Sequence, residues 1–345
     1  GKACSKDAKA KYTHTSHNEL IKKEVGSELY KLLNPYFKQR ESLTTLHLEF
    51  KRFGDGGASA ISKNTTWTNL ITINLSYNSI GAEGANAPAR TPPGPTFQFL
   101  IYPATKSVQN EQEQSARTPF GPNSPLSIYL ATILAEGAIA ISKNDTWTKL
   151  TTLDLSGNDI GVEEASTISK KTTWVNLTTL DLASNEIGAE GASALSKNDT
   201  WTKLVTLNLF KNEIGAEGAR AISENTNWIK LTNLCLSCNK IGDEGASAIS
   251  KNTTWTNLTT LNLSENEISD QGASALSKNT TWTKLTQLAL INKAISKKGA
   301  TALNKNSTWD LLHLFVEEPI YYKMRRLLKQ DRMLRKERLE KQSKY

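Results

Sequence analysis

Three cysteines in 345 residues, Cys4, Cys235 and Cys238, are too few and too unevenly placed to staple a small secreted fold. No run of about 18 apolar residues occurs, so no stretch reads as a membrane-spanning helix. Histidine is scarce: His14, His17, His47 and His313 are scattered, and none pairs with a recurring acid or nucleophile as a catalytic triad requires. Cys235-Leu-Ser-Cys238 has no second cysteine pair, and His14-Thr-Ser-His17 is half a metal site. Both cysteines read as substitutions at exposed strand positions. Neither a metal nor a cofactor is expected, and no glycine-rich phosphate loop is present. No secretory leader precedes the repeated part. With so little cysteine, the expectation is a reducing, cytoplasmic setting.

Charge is also missing from the middle of the chain. The formal net charge is +8, yet residues 320–345 hold ten Lys and Arg against three acids. Residues 1–25 hold six Lys against three acids. The body between them is near neutral, which argues against a nucleic-acid groove along it.

What is present is a period. Trp147, Trp174, Trp201, Trp228, Trp255, Trp282 and Trp309 stand 27 residues apart. Trp67 lies upstream, and Arg40 holds the same slot 27 residues before it. A fixed period in this range means a solenoid. Leucines follow each Trp at fixed offsets, as in Leu204, Leu207 and Leu209, and the Leu-x-Leu alternation predicts a short strand with one buried face. An asparagine comes next: Asn78, Asn158, Asn185, Asn212, Asn239, Asn266. An Asn leaving a strand can bond neighbouring backbone groups, and stacked copies would form a ladder. Ile-Gly and an Ala-rich stretch such as Gly188–Leu195 then predict a brief helix packed closely on the strands. Sequons at Asn64, Asn198 and Asn252 read as by-products of repeat copying rather than glycan sites.

This pattern resembles the leucine-rich repeat, specifically the ribonuclease-inhibitor-like class, over residues 40–317. The resemblance implies an α/β solenoid, a horseshoe with parallel strands on the concave face and short helices on the convex face. Similar arrays occur in intracellular immune-receptor sensor regions and in the Ran GTPase-activating protein. Departures are the 27-residue period, slightly short for the class, and the Trp, expected to pack between successive units.

The period is interrupted at residues 87–134. Residues 89–95 read ARTPPGP, and TPPGP at 91–95 recurs as TPFGP at 118–122. Codons chosen for Ser-Lys-Asn-Thr-Thr-Trp-Thr, read one nucleotide later, give Ala-Arg-Thr-Pro-Pro-Gly-Pro in the correct register. The expectation is two repeats read out of frame; the alternative is an unrelated proline-rich insertion. Residues 97–102 and 126–130 are candidate imperfect strands for the sheet.

The ends carry signals of their own. Gly1-Lys-Ala-Cys-Ser-Lys6 fits the N-myristoylation pattern once an initiator Met is removed, and resembles the start of myristoylated neuronal calcium-sensor proteins. Gly1 would be acylated, and Cys4 and nearby lysines would supply the second signal that one chain needs. The alternative is a truncated start. At the other end Lys323, Arg325, Arg326, Lys329, Arg332 and Arg335 surround Met324, Leu327, Leu328 and Leu334 at helical spacing. That segment, residues 318–345, reads either as a cap over the last repeat or as a lipid-surface or calmodulin-target-like helix. The organisation expected is therefore a basic N-terminal segment with a helical cap over 1–39, repeats over 40–86 and 135–317, the interruption between, and the basic end.

The outward strand positions are mostly Thr, Asn, Asp or Ser, including Asp154 and Asp181. Exceptions gather towards the C-terminal half: Phe210, Lys211, Cys235, Cys238 and Ile291. An exposed aromatic beside a cation is a candidate hot spot. The function expected is a monomeric, non-enzymatic scaffold binding a protein or peptide on the concave face, held at an anionic inner membrane surface if Gly1 is acylated. Two alternatives stand beside it. One is a GTPase-activating protein by fold analogy, with Arg220 as the only Arg in the repeats over 135–317. The other is a decayed gene copy.

Overall fold

The structure, a computed structural model, describes residues 30–80 and 136–309 and the backbone of one further strand, His313–Phe315. The interruption at 87–134, with its two candidate strands, lies outside the described residues. So do Gly1, Cys4 and the basic end.

A helix over residues 30–39 (α1) and a 3-10 turn at Arg40–Ser42 lead into nine described strands that form one parallel sheet in chain order. The strands are β1 Thr45–His47, β2 Thr72–Asn74, β3 Thr152–Asp154, β4 Thr179–Asp181, β5 Thr206–Asn208, β6 Asn233–Cys235, β7 Thr260–Asn262, β8 Gln287–Ala289 and β9 His313–Phe315. Between them run α2 Gly54–Ser62, α3 Glu136–Lys143, α4 Val162–Ser169, α5 Gly188–Ser196, α6 Gly215–Glu224, α7 Gly242–Ser250, α8 Asp270–Leu276 and α9 Lys297–Asn304. Each strand is three residues long because one Leu-x-Leu step is all that the pattern supplies. In β5 the central Leu207 is buried and its two neighbours are half-buried.

The helices pack closely because their inward residues are small. A Cβ at Gly218 in α6 would lie 2.5 Å from Ile214 Cγ2 and 3.1 Å from both Ala189 Cα and Ala192 Cβ of α5. Glycine therefore sets how near α6 comes to α5. The core is a set of columns. Trp67 and its seven successors are all buried, and the rings of Trp255, Trp282 and Trp309 stack at 6.3 Å centroid spacing. At the N-terminal end α1 closes the column. Leu33 and Phe37 are buried, Phe37 stacks on Trp67 at 5.4 Å, and Trp67 Nε1 donates to the Tyr36 carbonyl at 3.1 Å. That gives the first repeat an apolar lid and a partner for its indole N–H.

The sheet passes straight over the interruption. β2 pairs directly with β3, Thr72 to Thr152 and Asn74 to Asp154, so no strand from residues 97–102 or 126–130 stands between them. The expectation of imperfect strands at that place is corrected. The repeat that begins at Trp67 takes its strand half from residues before the gap and its helix, α3, from residues after it. Gly137 N–H donates to Asp55 Oδ1 at 3.0 Å, and Asn144 Nδ2 donates to the Ser62 carbonyl at 2.7 Å. The physical reason is register. Without residues 82–134, Trp67 and Trp147 would be 27 residues apart, one ordinary unit. Residues 87–134 lack the Trp, the Leu-x-Leu step and the Gly-Ala stretch in the positions that a further unit would need.

Candidate functional site: the strand face

Two asparagine ladders hold the strand face in place. In the first, Asn239 Oδ1 accepts the N–H of Asn212 at 2.8 Å and of Ile214 at 3.3 Å in the preceding repeat. Its Nδ2 donates to the carbonyls of Leu209 at 2.7 Å and Leu236 at 3.0 Å. Asn158, Asn185, Asn212 and Asn266 occupy the equivalent buried positions, and the bond crosses the interruption, from Asn78 N–H to Asn158 Oδ1 at 3.0 Å. The second ladder adds a role to the sequons that read as by-products of repeat copying. The sequon asparagines are structural: Asn198 Oδ1 accepts the N–H of Thr200 at 3.0 Å and Trp201 at 2.9 Å, while Nδ2 donates to the Ser169 carbonyl at 2.7 Å. Asn64, Asn198 and Asn252 are buried, so their amides are out of reach of a glycan. The signal was available in the recurrence of Asn three residues before every Trp but Trp174.

On the face itself, Asp154 and Asp181 end β3 and β4 in register with one another. Each turns the chain out of its strand. Asp154 Oδ1 accepts the Ser156 N–H at 2.9 Å, and Asp181 Oδ1 accepts the Ala183 N–H at 2.9 Å. Asn208 Nδ2 also donates to Asp181 Oδ2 at 3.0 Å. Burial, with Asp154 beside it, pushes the Asp181 carboxyl up to about 6. Burial also raises Asp154, opposed by its bonds to Ser156 and reinforced by Glu49. Tyr77 is raised by burial and by both aspartates, which places its hydroxyl within their field.

Shortly after each of β1 to β7 the backbone enters the left-handed region. Phe50, Tyr77, Ser184, Lys211, Cys238 and Glu265 all have φ between 52° and 58°. Sequence reasoning missed this, because only Gly157 among the equivalent residues is the glycine that such a φ favours. Phe210 is half-buried and Lys211 exposed beside it; Ile291 is half-buried further along. Cys238 is half-buried, but Cys235 is buried at 8% exposure, which corrects its expected exposed placement. Its Sγ lies 3.5 Å from Ser237 Oγ, at the strand end where β2 to β5 and β7 carry an Asp or Asn turn. Burial raises the Cys235 thiol, and burial, then Glu265, pushes Cys238 to about 11. Both thiols are therefore protonated at neutral pH, unsuited to nucleophilic work. Among the described residues no group of three or more His, Cys, Asp or Glu is placed to hold a metal. None of the described helices is long and apolar enough to cross a membrane. Arg220 lies in α6 on the helix layer, its Nη2 3.3 Å from Glu217 Oε1, and so is not on the strand face.

Six leucine-rich repeat matches fall on the chain, at residues 68–87, 148–169, 175–196, 202–223, 229–250 and 256–277. Each begins just after a Trp, and those from 148 onward close on the helix that follows the strand. The chain is a leucine-rich repeat protein. A solved structure of leiomodin-1 actin-binding site 2 is similar at 22% identity and a TM-score of 0.33, covering 45% of this chain and 96% of that one. The Rad7 and Elc1 complex in yeast gives 10% identity and a TM-score of 0.32, covering 89% of this chain and 94% of the other. No curated protein sequence matched the chain. In this leucine-rich repeat array the strand face is held in register by the Asn ladder that follows each strand.

Proposed function

We propose that the chain is a non-enzymatic scaffold that binds a protein or peptide on its strand face, with Phe210 and Lys211 at the centre of the contact. One observation carries the reading. The residues equivalent to Phe210 in the neighbouring units are Ser156, Ala183, Ser237 and Ser264, so a single ring stands out from a floor of small side chains. Aromatic anchors with a nearby cation are the usual carriers of binding energy, and a floor that is already rigid costs little ordering on association. Ile291 and the half-buried Cys238 extend the apolar area towards β8.

A photo-crosslinking residue at position 210 identifies the partner. Its affinity is then measured against the Phe210→Ala and Lys211→Ala variants. Loss of Phe210 should weaken binding by about 30-fold or more, the size of a hot spot. An unchanged affinity in both variants removes the patch assignment. Membrane attachment through Gly1 and Cys4 belongs to the same proposal as an expectation from sequence, and is read from the mass of the N-terminal peptide.

A further inference from the structure

The turn that ends each strand needs an Oδ1 oxygen and nothing more. Asn74, Asn208 and Asn262 supply it, accepting the N–H of Ser76 at 3.0 Å, Phe210 at 3.1 Å and Ser264 at 3.1 Å. Asp154 and Asp181 do the same work at the same positions, yet bring two like charges face to face across adjacent strands. Such a pairing is destabilising. The strand residues of β1 to β4 include no Lys or Arg to relieve it. The charge is therefore surplus to the fold.

Beside the pair stands an aromatic platform. Phe50 and Tyr77 stack at 4.6 Å with planes 9° apart, and Phe50 is 52% exposed. The Tyr77 ring lies over Gly157 of the next repeat, where a Cβ would collide with it. Both aromatics are held at φ near 58° and 56°, which bulky side chains disfavour. Ring faces next to two adjacent carboxylates suit the head and stem of a Lys or Arg side chain.

We infer that this patch, with Glu49 at its edge, docks the chain's own basic C-terminal segment, residues 320–345. Charge complementarity argues for that occupant, since the segment holds ten Lys and Arg against three acids. Reach allows it. From β9 to β4 is five strand steps, about 24 Å at about 4.8 Å per step. About eight extended residues cover that distance and bring Lys323 to Asp181, while the eight steps to β1 at the far edge of the patch, about 38 Å, take about twelve, so Lys329 and everything beyond it can reach the whole patch. Tethering supplies an effective concentration in the millimolar range. On its way the segment crosses the strand face that the Phe210 partner needs, so docking competes with that partner. The inference shares with the proposed function only the premise that the strand face binds. It rests on different residues.

The test uses the full chain. Zero-length carbodiimide coupling joins carboxylates to amines in contact. It should link the peptides holding Asp154, Asp181 or Glu49 to peptides holding Lys323, Lys329, Lys336, Lys341 or Lys344, independently of protein concentration. In parallel, trypsin cleavage within 320–345 is timed in the native chain and in the Asp154→Asn/Asp181→Asn variant. The variant keeps both turn oxygens and so keeps the fold. Its tail should be cut about fivefold faster, as expected for a docked population that is released. Links to Lys2–Lys23 alone would assign the patch to the N-terminal segment instead. Links that grow with concentration would assign it to a second copy. Either result, or equal cleavage rates, overturns the inference and leaves the Phe210 contact standing or falling on its own measurement.

Discussion

The interior columns and the strand row share one 27-residue period, yet they tolerate change very differently. Inside, Trp, Leu and Asn recur almost without exception. On the row at the strand ends, one position is Asn in β2, Asp in β3 and β4, Asn in β5, Cys in β6, Asn in β7 and Ala in β8. The contrast follows from who the partners are. An interior Asn bonds backbone groups of two repeats, so changing it orphans atoms that water cannot reach. A row residue bonds its own turn and otherwise faces outward, so it is free to carry charge, ring or thiol. The array fixes its frame in the columns and varies its surface on the row.

The comparison breaks if an interior ladder residue turns out to be replaceable. Asn239→Ala removes the acceptor for Asn212 and Ile214 and the donor to Leu209 and Leu236, all at buried positions. The expected loss is about 3 to 5 kcal/mol, from two or more orphaned backbone groups at about 1 to 3 kcal/mol each. Urea unfolding followed by Trp fluorescence measures it. A loss below about 1 kcal/mol would show that the ladder is decoration.

A smaller and opposite effect comes from the one described unit where the second ladder is broken. Lys171 takes the place of Asn, with its side chain 6% exposed and its Nζ 2.5 Å from Asp145 Oδ1. Thr66, Thr146 and Thr200 each bond the Oδ1 of the Asn two residues before them. Thr173 finds no such acceptor, and its hydroxyl is buried without a partner. Asp145 is 77% exposed, so the ion pair returns little for the buried lysine. Lys171→Asn should raise stability by about 1 kcal/mol. A drop in the midpoint would mean that the Lys171 contact with the Trp174 ring, 5.9 Å away, outweighs the ladder.

Much of this frame is legible in the sequence. Leu204, Leu207 and Leu209 give the strand, Trp201 gives the period, and Asn212 gives the ladder, because each is a choice that burial leaves little room to alter. What is not legible has local causes. The left-handed turn accompanies a backbone N–H bond to the next repeat, from Phe50 to Ser76, Ser184 to Phe210 and Lys211 to Ser237, so these residues adopt it without looking like turn residues. Cys235 reads as exposed by position, but the small thiol is drawn in against Ser237, whose backbone and hydroxyl both bond it. The sequon asparagines look like surface chemistry because the glycan motif and the ladder motif are spelled with the same letters. Asp154 and Asp181 are the converse case: their placement on the face is readable, while their register across two strands, and hence their mutual repulsion, is a property of the fold.

That repulsion supplies the mildest test of the contrast. Burial and the neighbouring Asp154 hold Asp181 near 6, above its ordinary value of 3.8, and Asp154 is raised by burial as well. Between those values the folded chain keeps protons that the unfolded chain has released. Stability therefore falls as pH rises from about 4 to about 6 and levels off above that. In about 0.5 M salt, where a tail held by charge is screened away, the melting temperature should climb as the pH is lowered from 7 towards 5. Glu49, His47 and Tyr77 face the same patch and remain in both proteins, so the Asp154→Asn/Asp181→Asn variant isolates the pair. It should melt higher than the native chain at pH 7 and lose most of the difference near pH 4. Equal curves at every pH would mean that the two carboxyls are already relieved by a neighbour, and that the strand row, like the columns, is made to satisfy the fold alone.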